Sequence, residues 1–160
     1  MARGPRILLD NVCYHIINRG NQKQNIFMED DDYRTYLDLL KHYKKKYGFK
    51  IYGYCLMPNH VHLLLEPKDP HKLAETMQVI TQSYTSWFNL KYKKVGHLWQ
   101  GRFKSMVIQK DSYFVNCIYY VEANPVRAEL VSSPIDYIWS SYRDRITSNK
   151  TVLLDLPNST

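Results

Sequence analysis

The chain has 160 residues, with 22 Lys or Arg against 15 Asp or Glu, so its formal net charge is +7 at pH 7. No segment approaches the roughly 18 consecutive apolar residues of a membrane span, and the opening residues lack a signal peptide's apolar run, so we expect a cytoplasmic protein with no membrane partner. The positive charge and the 14 tyrosines favour a nucleic acid partner, because basic surfaces attract phosphates and aromatic rings stack on unpaired bases.

The first predicted elements are a strand and a helix. Residues 11–19 alternate and are rich in β-forming residues, which predicts a strand that ends before Gly20-Asn21. A helix is predicted from Asp30 to Tyr47, closed by Gly48, with acidic residues at its start and lysines near its end. This distribution of charge complements the helix dipole at both ends.

The next segment predicts a β-hairpin. Residues 49–57 and 60–66 read as strands, and Pro58-Asn59 between them forms a tight turn. The second of these strands begins with His60-Val61-His62. Side chains along a strand alternate between the two faces of the sheet, so His60 and His62 are expected on the same face.

The remaining elements are a long helix, a strand and a final helix. Apolar residues at three- or four-residue steps predict a helix from Pro70 to about Tyr92. Residues 103–109 read as a fourth strand, and Asp111-Ser112 can cap the last helix. Pro125 should end or kink that helix, because proline cannot donate a backbone hydrogen bond.

This order of elements predicts an α+β, ferredoxin-like split βαβ fold. Such a fold has an antiparallel sheet with two helices on one face, which leaves the other face free for a site, and here an extra helix is added at the C-terminal end. We expect one domain over residues 1–145 and a flexible tail over residues 146–160, where the sequence becomes polar. The three cysteines are far apart, which predicts reduced, buried thiols rather than disulfides.

The histidine pair allows three interpretations. Both histidines could be structural, each satisfied by local hydrogen bonds. A histidine-triad nucleotide hydrolase would need another histidine at the next position on the same face, where this chain has Leu64. The third interpretation is a metal site that takes a further ligand from elsewhere.

The last predicted helix offers partners for such a metal site. Tyr120 and Asn124 are four residues apart, so their side chains share one helical face. Tyr119 would point about 100° away around the helix, toward the core. Asn124 has an alternative role as an N-cap, with Pro125 at the first helical position.

A basic segment follows the long helix, from Lys91 to Lys104, with aromatic residues between its charges. It could be a track for phosphates with rings for unpaired bases, or a solvated helix end followed by core aromatics. The turn after the first strand offers a second basic contact. The candidate DNA-binding residues are Arg19, Lys23, Lys93, Lys94, His97, Trp99, Arg102 and Lys104.

Several segments together resemble a known family. HIINRGNQKQNIF, MPNHVH, GHLWQGRFKS, YYVEANPVRAEL and WSSY occur in that order over about residues 10–142. They resemble the single-tyrosine HUH transposases, in the branch called REP-associated tyrosine transposases. The resemblance implies that His60, His62 and Asn124 bind a divalent metal, Mg or Mn, and that Tyr120 is the nucleophile.

The same resemblance implies a reaction and a partner. Tyr120 would nick single-stranded DNA through a 5′-phosphotyrosine intermediate and transfer the strand, with a hairpin beside the cut site as the recognised DNA. A homodimer and a monomer both stay open. The alternatives are a domesticated hairpin-binding protein that does not cut, and an HUH replication or mobilisation nuclease, although these usually carry additional domains. Because protonated imidazole cannot bind a metal, we expect activity to fall near pH ~6.5.

Overall fold

The computed structural model describes residues 6–147 and 153–157 of the chain. Its strands and α-helices, in chain order, are β1 (Cys13–Arg19), α1 (Asp30–Tyr47), β2 (Lys50–Met57), β3 (His60–Glu66), α2 (Leu73–Tyr92), β4 (Lys104–Ile108), α3 (Ser112–Glu122), α4 (Asn124–Arg127) and α5 (Tyr142–Ile146). Short 3-10 turns at Asn21–Lys23, Pro70–Lys72 and Pro134–Asp136 connect some of them.

The four strands form one antiparallel sheet in the order β2-β3-β1-β4. This order places β1 and β3 at the centre, each with a neighbour on both sides. The ferredoxin-like split βαβ prediction is therefore confirmed, together with the α+β class. The β3 strand has the predicted bounds, and the Pro58-Asn59 turn defines its start.

Helix ends follow the predicted capping signals. The Asp32 carboxylate accepts hydrogen bonds from the backbone N–H of Met28 (2.7 Å) and Glu29 (3.2 Å) at the start of α1. Gly48 ends α1 in the left-handed conformation, with φ of 73°, which glycine adopts without steric cost. The Asp111 side chain caps α3 by accepting from the N–H of Tyr113 at 2.9 Å. β1 begins later than predicted because Asn11, with φ of 60°, is not extended.

One face of the sheet packs against α1 and α2 and carries the larger hydrophobic core. Tyr14 and Ile16 of β1 and Leu63 and Leu65 of β3 point into it. Its centre is aromatic, and Tyr84 lies edge-on to Tyr36 with ring centroids 5.5 Å apart. This face contains mainly apolar side chains and supplies most of the buried apolar area that stabilises the fold.

The opposite face is only partly open, because α3 packs across it. Phe114, Ile118 and Val121 of α3 join a second, smaller core that also contains Tyr52 and Leu64 of the sheet. Cys13, Cys55 and Cys117 are buried in the same cluster as free thiols, so the prediction of reduced cysteines is confirmed. The expectation that this whole face would be free is therefore wrong over β2, where α3 covers it.

Part of the predicted flexible tail lies against the sheet. The Asp155 carboxylate accepts from Lys44 Nζ at 2.5 Å and from the Ile51 N–H at 2.9 Å. The Asp155 N–H in turn donates to the Ile51 carbonyl at 2.7 Å. Residues 148–152 and 158–160 lie outside the described residues, so for them the tail stays a prediction. Among the helices that the structure describes, none combines the length and apolar character needed to span a membrane.

Candidate active site

His60 and His62 share the face of the sheet on which α3 lies. Their ring centroids are 4.9 Å apart in an edge-to-face arrangement, as the alternation of β3 predicts. His62 is 5% exposed, whereas His60, at the end of the strand, is partly accessible. The pair therefore sits at the border between the second core and solvent, where a ligand can reach it.

A hydrogen bond engages the δ nitrogen of each histidine. His60 Nδ1 lies 2.7 Å from Asn59 Oδ1, an acceptor, so His60 donates in this bond. His62 Nδ1 lies 3.0 Å from Nε2 of a third histidine, His15 on β1. In both histidines Nδ1 is occupied by this bond, so Nε2 is the candidate nitrogen for binding a metal ion. Partners of this kind orient histidine ligands in metal sites.

Burial keeps the two histidines neutral. It lowers the pKa of His60 to about 4, with the Arg19 charge adding to the effect. It also lowers the pKa of His62 to about 3, with His60, His15 and Arg19 as smaller contributors. Both imidazoles are therefore unprotonated at neutral pH, the form that binds metals. With these lowered pKa values, protonation of the two imidazoles requires a more acidic solution than pH ~6.5, so the expected loss of activity moves to lower pH and stays a prediction.

Tyr120 presents an exposed phenol beside the histidines. Its side chain is 54% exposed, and its ring lies edge-on to His15 with centroids 6.5 Å apart. The Arg127 guanidinium is stacked 3.9 Å from the centroid of the Tyr120 ring, and its Nη2 donates to the Tyr120 carbonyl at 2.7 Å. Cation–π contacts of this kind restrict the ring's position. Tyr119 is 57% exposed, so the prediction that it packs into the core is wrong.

A buried ion pair fixes the end of α3 that carries Tyr120. Glu122 is 1% exposed, and Arg145 of α5 binds its carboxylate with a shortest N–O distance of 2.9 Å. The Ser141 hydroxyl also donates to Glu122, and Arg145 donates to the Tyr52 carbonyl of β2. These contacts tie α3 to its own sheet, and thereby set where Tyr120 stands.

Asn124 is available as a further ligand. It is the first residue of α4, whose N-cap is Ala123 with no side-chain capping bond, so the alternative of Asn124 as an N-cap is wrong. Its Nδ2 donates to the Val121 carbonyl at 3.2 Å. No described residue donates to its Oδ1, which leaves that oxygen for another ligand.

The donor set fits an open catalytic metal site. Within residues 6–147 and 153–157, no three His, Cys, Asp or Glu side chains come together as a complete site. Two neutral imidazoles and one amide oxygen would leave positions for water or for substrate oxygen atoms, as catalytic metal sites require. The ligand assignment of His60, His62 and Asn124 stays a prediction.

The structure brings some of the candidate DNA-binding residues together. Arg19, Arg102 and Lys104 line one small pocket of about 90 Å³ next to Ile17, on the histidine face. His97, Trp99 and Arg102 line a larger groove of about 730 Å³ beside α2. The remaining candidates are exposed and line neither of these two cavities; they are Lys23, Lys93 and Lys94.

The aromatic residues of the basic segment are largely structural. Phe103 is 8% exposed, and the Tyr92 hydroxyl donates to Asp32 at 2.6 Å. Lys91 pairs with the same carboxylate at 2.7 Å. Trp99 donates from Nε1 to the Thr81 carbonyl at 3.3 Å and is half-buried, so only part of its ring faces the groove. The interpretation as core aromatics therefore holds for Tyr92 and Phe103.

Sequence reasoning missed His15, Glu122 and Arg127. His15 is two residues from Cys13, so both point to one face of β1. This two-residue spacing could have predicted the face on which His15 lies. What placed His15 against His62 is the register, in which Ile17 pairs with His62. That register depends on pairing between distant strands, so it cannot be predicted from the sequence of either strand alone.

Comparisons with known proteins agree with this architecture. The family model described as "Transposase IS200 like" matches residues 9–124. A Haemophilus influenzae protein described as a candidate REP-associated tyrosine transposase is 29% identical over 107 residues, 60% of each chain. The chain thus spans less than two thirds of that relative's length.

Two solved structures share the fold. A REP-associated tyrosine transposase bound to a REP hairpin superposes with a TM-score of 0.74 at 16% identity, over 97% of this chain and 92% of that one. A candidate transposase from Deinococcus radiodurans gives a TM-score of 0.51 at 17% identity, over 76% and 95% of the two chains. At these identities the superpositions establish the common fold.

Proposed function

Because the chain belongs to the IS200-like transposase family, we propose that it nicks and transfers single-stranded DNA with Tyr120 as the nucleophile. This membership confirms the resemblance drawn from the sequence. The observation that carries the proposal is the meeting of an exposed phenol with a neutral histidine pair within one chain, joined through the His15 ring. A nucleophile and a set of metal-binding nitrogens in one place are the two components that phosphodiester cleavage needs.

The proposed reaction exchanges one phosphoester for another. Tyr120 Oη attacks the phosphorus, the phenol proton leaves to solvent, and the bond to the 3′ oxygen breaks. That oxygen takes up a proton and becomes a free 3′-hydroxyl, while the phosphate stays on Tyr120 as a 5′-phosphotyrosine. A second 3′-hydroxyl can then attack this ester and release Tyr120, so rejoining needs no nucleoside triphosphate.

The residues of the chain position the groups that react. A divalent Mg or Mn ion held by His60, His62 and Asn124 would offset the negative charge that develops on the phosphate oxygens. Burial keeps both imidazoles neutral for this task. Arg127 restricts the Tyr120 ring and adds positive charge where the phosphate would lie.

We propose a DNA hairpin with an adjacent single strand as the partner. The structure with the higher TM-score is that of a protein bound to a REP hairpin. In this chain Arg19, Arg102 and Lys104 gather next to the histidine face, where they can contact the backbone of a strand entering the site. Their contacts would be with phosphates, which carry affinity and register rather than sequence information.

The proposed catalytic unit is a single subunit. Tyr120 stands beside histidines of its own chain, and the Glu122–Arg145 ion pair holds its helix on its own sheet. A mixture of Tyr120→Phe and His60→Ala subunits tests this arrangement. If one subunit suffices, the mixture stays inactive, whereas restored cutting would show that the tyrosine acts on a partner's histidines.

The central experiment looks for the covalent intermediate. The protein is incubated with a hairpin-bearing single strand and Mg²⁺ or Mn²⁺, and a denaturing gel reports any protein–DNA adduct. Tyr120→Phe should abolish the adduct, and Tyr119→Phe is the matched control, because its phenol is equally exposed but points elsewhere around α3. Tight hairpin binding with no adduct would instead identify a domesticated binding protein.

A further inference from the structure

His15 is a buried histidine that neither the family resemblance nor the reaction assigns. It is 4% exposed and lies on β1, next to β3 in the sheet. Its Nε2 is 3.0 Å from His62 Nδ1, and its ring meets the Tyr120 ring edge-on. It thus touches both a proposed metal ligand and the proposed nucleophile.

The shared hydrogen bond restricts where His62 carries its proton. A neutral imidazole has one N–H and one bare nitrogen. If His62 Nδ1 is the donor to His15, then His62 Nε2 is bare and can bind a metal ion. If His15 Nε2 is the donor, His62 must carry its own proton on Nε2, and the metal-binding lone pair is lost. The direction of this one bond therefore decides whether His62 can be a ligand.

His60 also has a hydrogen bond at Nδ1, but its partner is an amide oxygen. His60 Nδ1 is 2.7 Å from Asn59 Oδ1, and an amide oxygen can only accept. His60 therefore donates from Nδ1 and keeps Nε2 bare. Two adjacent imidazoles, each held at Nδ1, present their Nε2 atoms as a pair.

We propose that His15 is a positioning residue which accepts the Nδ1–H of His62 and so holds His62 in the tautomer whose Nε2 can bind metal. To accept, His15 carries its own proton on Nδ1. The edge-on contact with Tyr120 places the same ring next to the proposed nucleophile. This inference rests on the proposed function, since it assigns His62 as a ligand.

The first test reads the tautomer directly, in the metal-free protein. Two-bond ¹H–¹⁵N correlation spectra of ¹⁵N-histidine-labelled protein distinguish the Nδ1–H from the Nε2–H form of each ring. We expect His60 and His62 as Nδ1–H tautomers in the unmodified protein. In His15→Leu the His62 signals should shift toward the Nε2–H form, the form that a free histidine side chain favours in water. A His62 that is Nε2–H in the unmodified protein would overturn the inference.

The second test measures binding of Mn²⁺ alone by calorimetry. His15→Leu should weaken Mn²⁺ about 10–100-fold, the range seen when a ligand's orienting partner is removed. His15→Gln should recover most of the affinity, because its amide oxygen can accept from His62 Nδ1–H. His71→Gln, an exposed histidine at the 3-10 turn before α2, is the matched control and should bind as the unmodified protein does.

The outcomes separate this inference from the proposed function. If the unmodified protein binds Mn²⁺ and forms the DNA adduct while His15→Leu binds Mn²⁺ equally well, the function stands and the role of His15 is refuted. If the unmodified protein neither binds Mn²⁺ nor forms an adduct, the proposed function fails first. Should His15→Leu not fold, equal affinity of His15→Gln and His15→Ala would still refute the inference, because alanine cannot accept.

Discussion

The two faces of the sheet are built from the same strands but carry different chemistry. Toward α1 and α2, β1 and β3 present Tyr14, Ile16, Leu63 and Leu65 to an apolar core. The opposite face of the sheet carries histidines and buried thiols. There it packs against α3, which bears the exposed Tyr120. A strand alternates its faces at every residue, so one run of sequence can encode stability and a site at once.

This comparison predicts that substitutions on the two faces have separable effects. Changes on the apolar face should alter the free energy of unfolding with little effect on the reaction. Changes at the histidine cluster should alter metal binding and DNA cutting with little effect on unfolding. The buried ion pair on the α3 side is the exception, because it stabilises the fold and positions Tyr120 together.

The largest effect is expected from breaking that ion pair. Arg145→Met leaves Glu122 buried without its cation, which should lower the free energy of unfolding by about 3–5 kcal/mol. Against a typical total of roughly 5–15 kcal/mol, this is severe. Urea unfolding followed by circular dichroism measures it. Arg143→Met, an exposed neighbour on the same helix, should change little; equal losses in both variants would count against the ion pair as the cause.

The next effect concerns the reaction and should leave stability unchanged. His60→Ala removes a proposed metal ligand at a partly accessible position, so adduct formation should fall by about 100-fold or more, equivalent to roughly 2.7 kcal/mol in the barrier. A timed cleavage assay with Mn²⁺ measures the rate, and thermal unfolding serves as the control. A large drop in melting temperature would show that the two faces are not separable here.

A matched pair on the apolar face sharpens the comparison. The Tyr84 hydroxyl donates to the Ile26 carbonyl at 2.5 Å, so Tyr84→Phe should cost about 1–2 kcal/mol of unfolding free energy. The hydroxyl of Tyr36 is buried without a partner among the described residues, so Tyr36→Phe should be neutral or stabilise by up to about 1 kcal/mol. Chemical denaturation of both variants tests the opposite signs, and cutting should be unaffected in each.

The smallest effect is a dependence of stability on pH. Because burial lowers the pKa of His62 in the fold to about 3, the unfolded chain takes up a proton below pH ~6.5 that the folded chain does not. Stability should therefore fall as the pH decreases from about 6.5. Between pH ~7 and ~5.5, His62→Gln should lose about 1 kcal/mol less than the unmodified protein. Parallel curves for both proteins would contradict a neutral buried His62.

Local signals predicted the elements that the sequence defines within a few residues. Asp30, Gly48 and Asp111 marked helix ends through capping and charge, and the structure places the boundaries there. The facing of His60 and His62 followed from alternation alone. These features depend only on neighbours along the chain, so a single sequence contains them.

Features that depend on distant contacts could not be predicted. Tyr119 was expected in the core from its angle on α3, but that helix covers only part of the sheet, and Tyr119 faces solvent. The partners of Glu122 come from α5, beyond the last predicted element. His15 meets His62 only through the pairing of β1 with β3. In each case the missing information was how distant segments pack and in which register they pair.

The contacts of Glu122 with Ser141 and Arg145 can form only after the ribosome has made both segments. The ribosome makes the sheet and α3 before it makes α5, so a nascent chain holds Tyr120 and all three site histidines before the residues that anchor its helix exist. A product that ends before Ser141 would therefore carry the proposed nucleophile and metal ligands without the contacts that anchor α3. The proposed DNA cutting would therefore depend on residues that are made after the nucleophile.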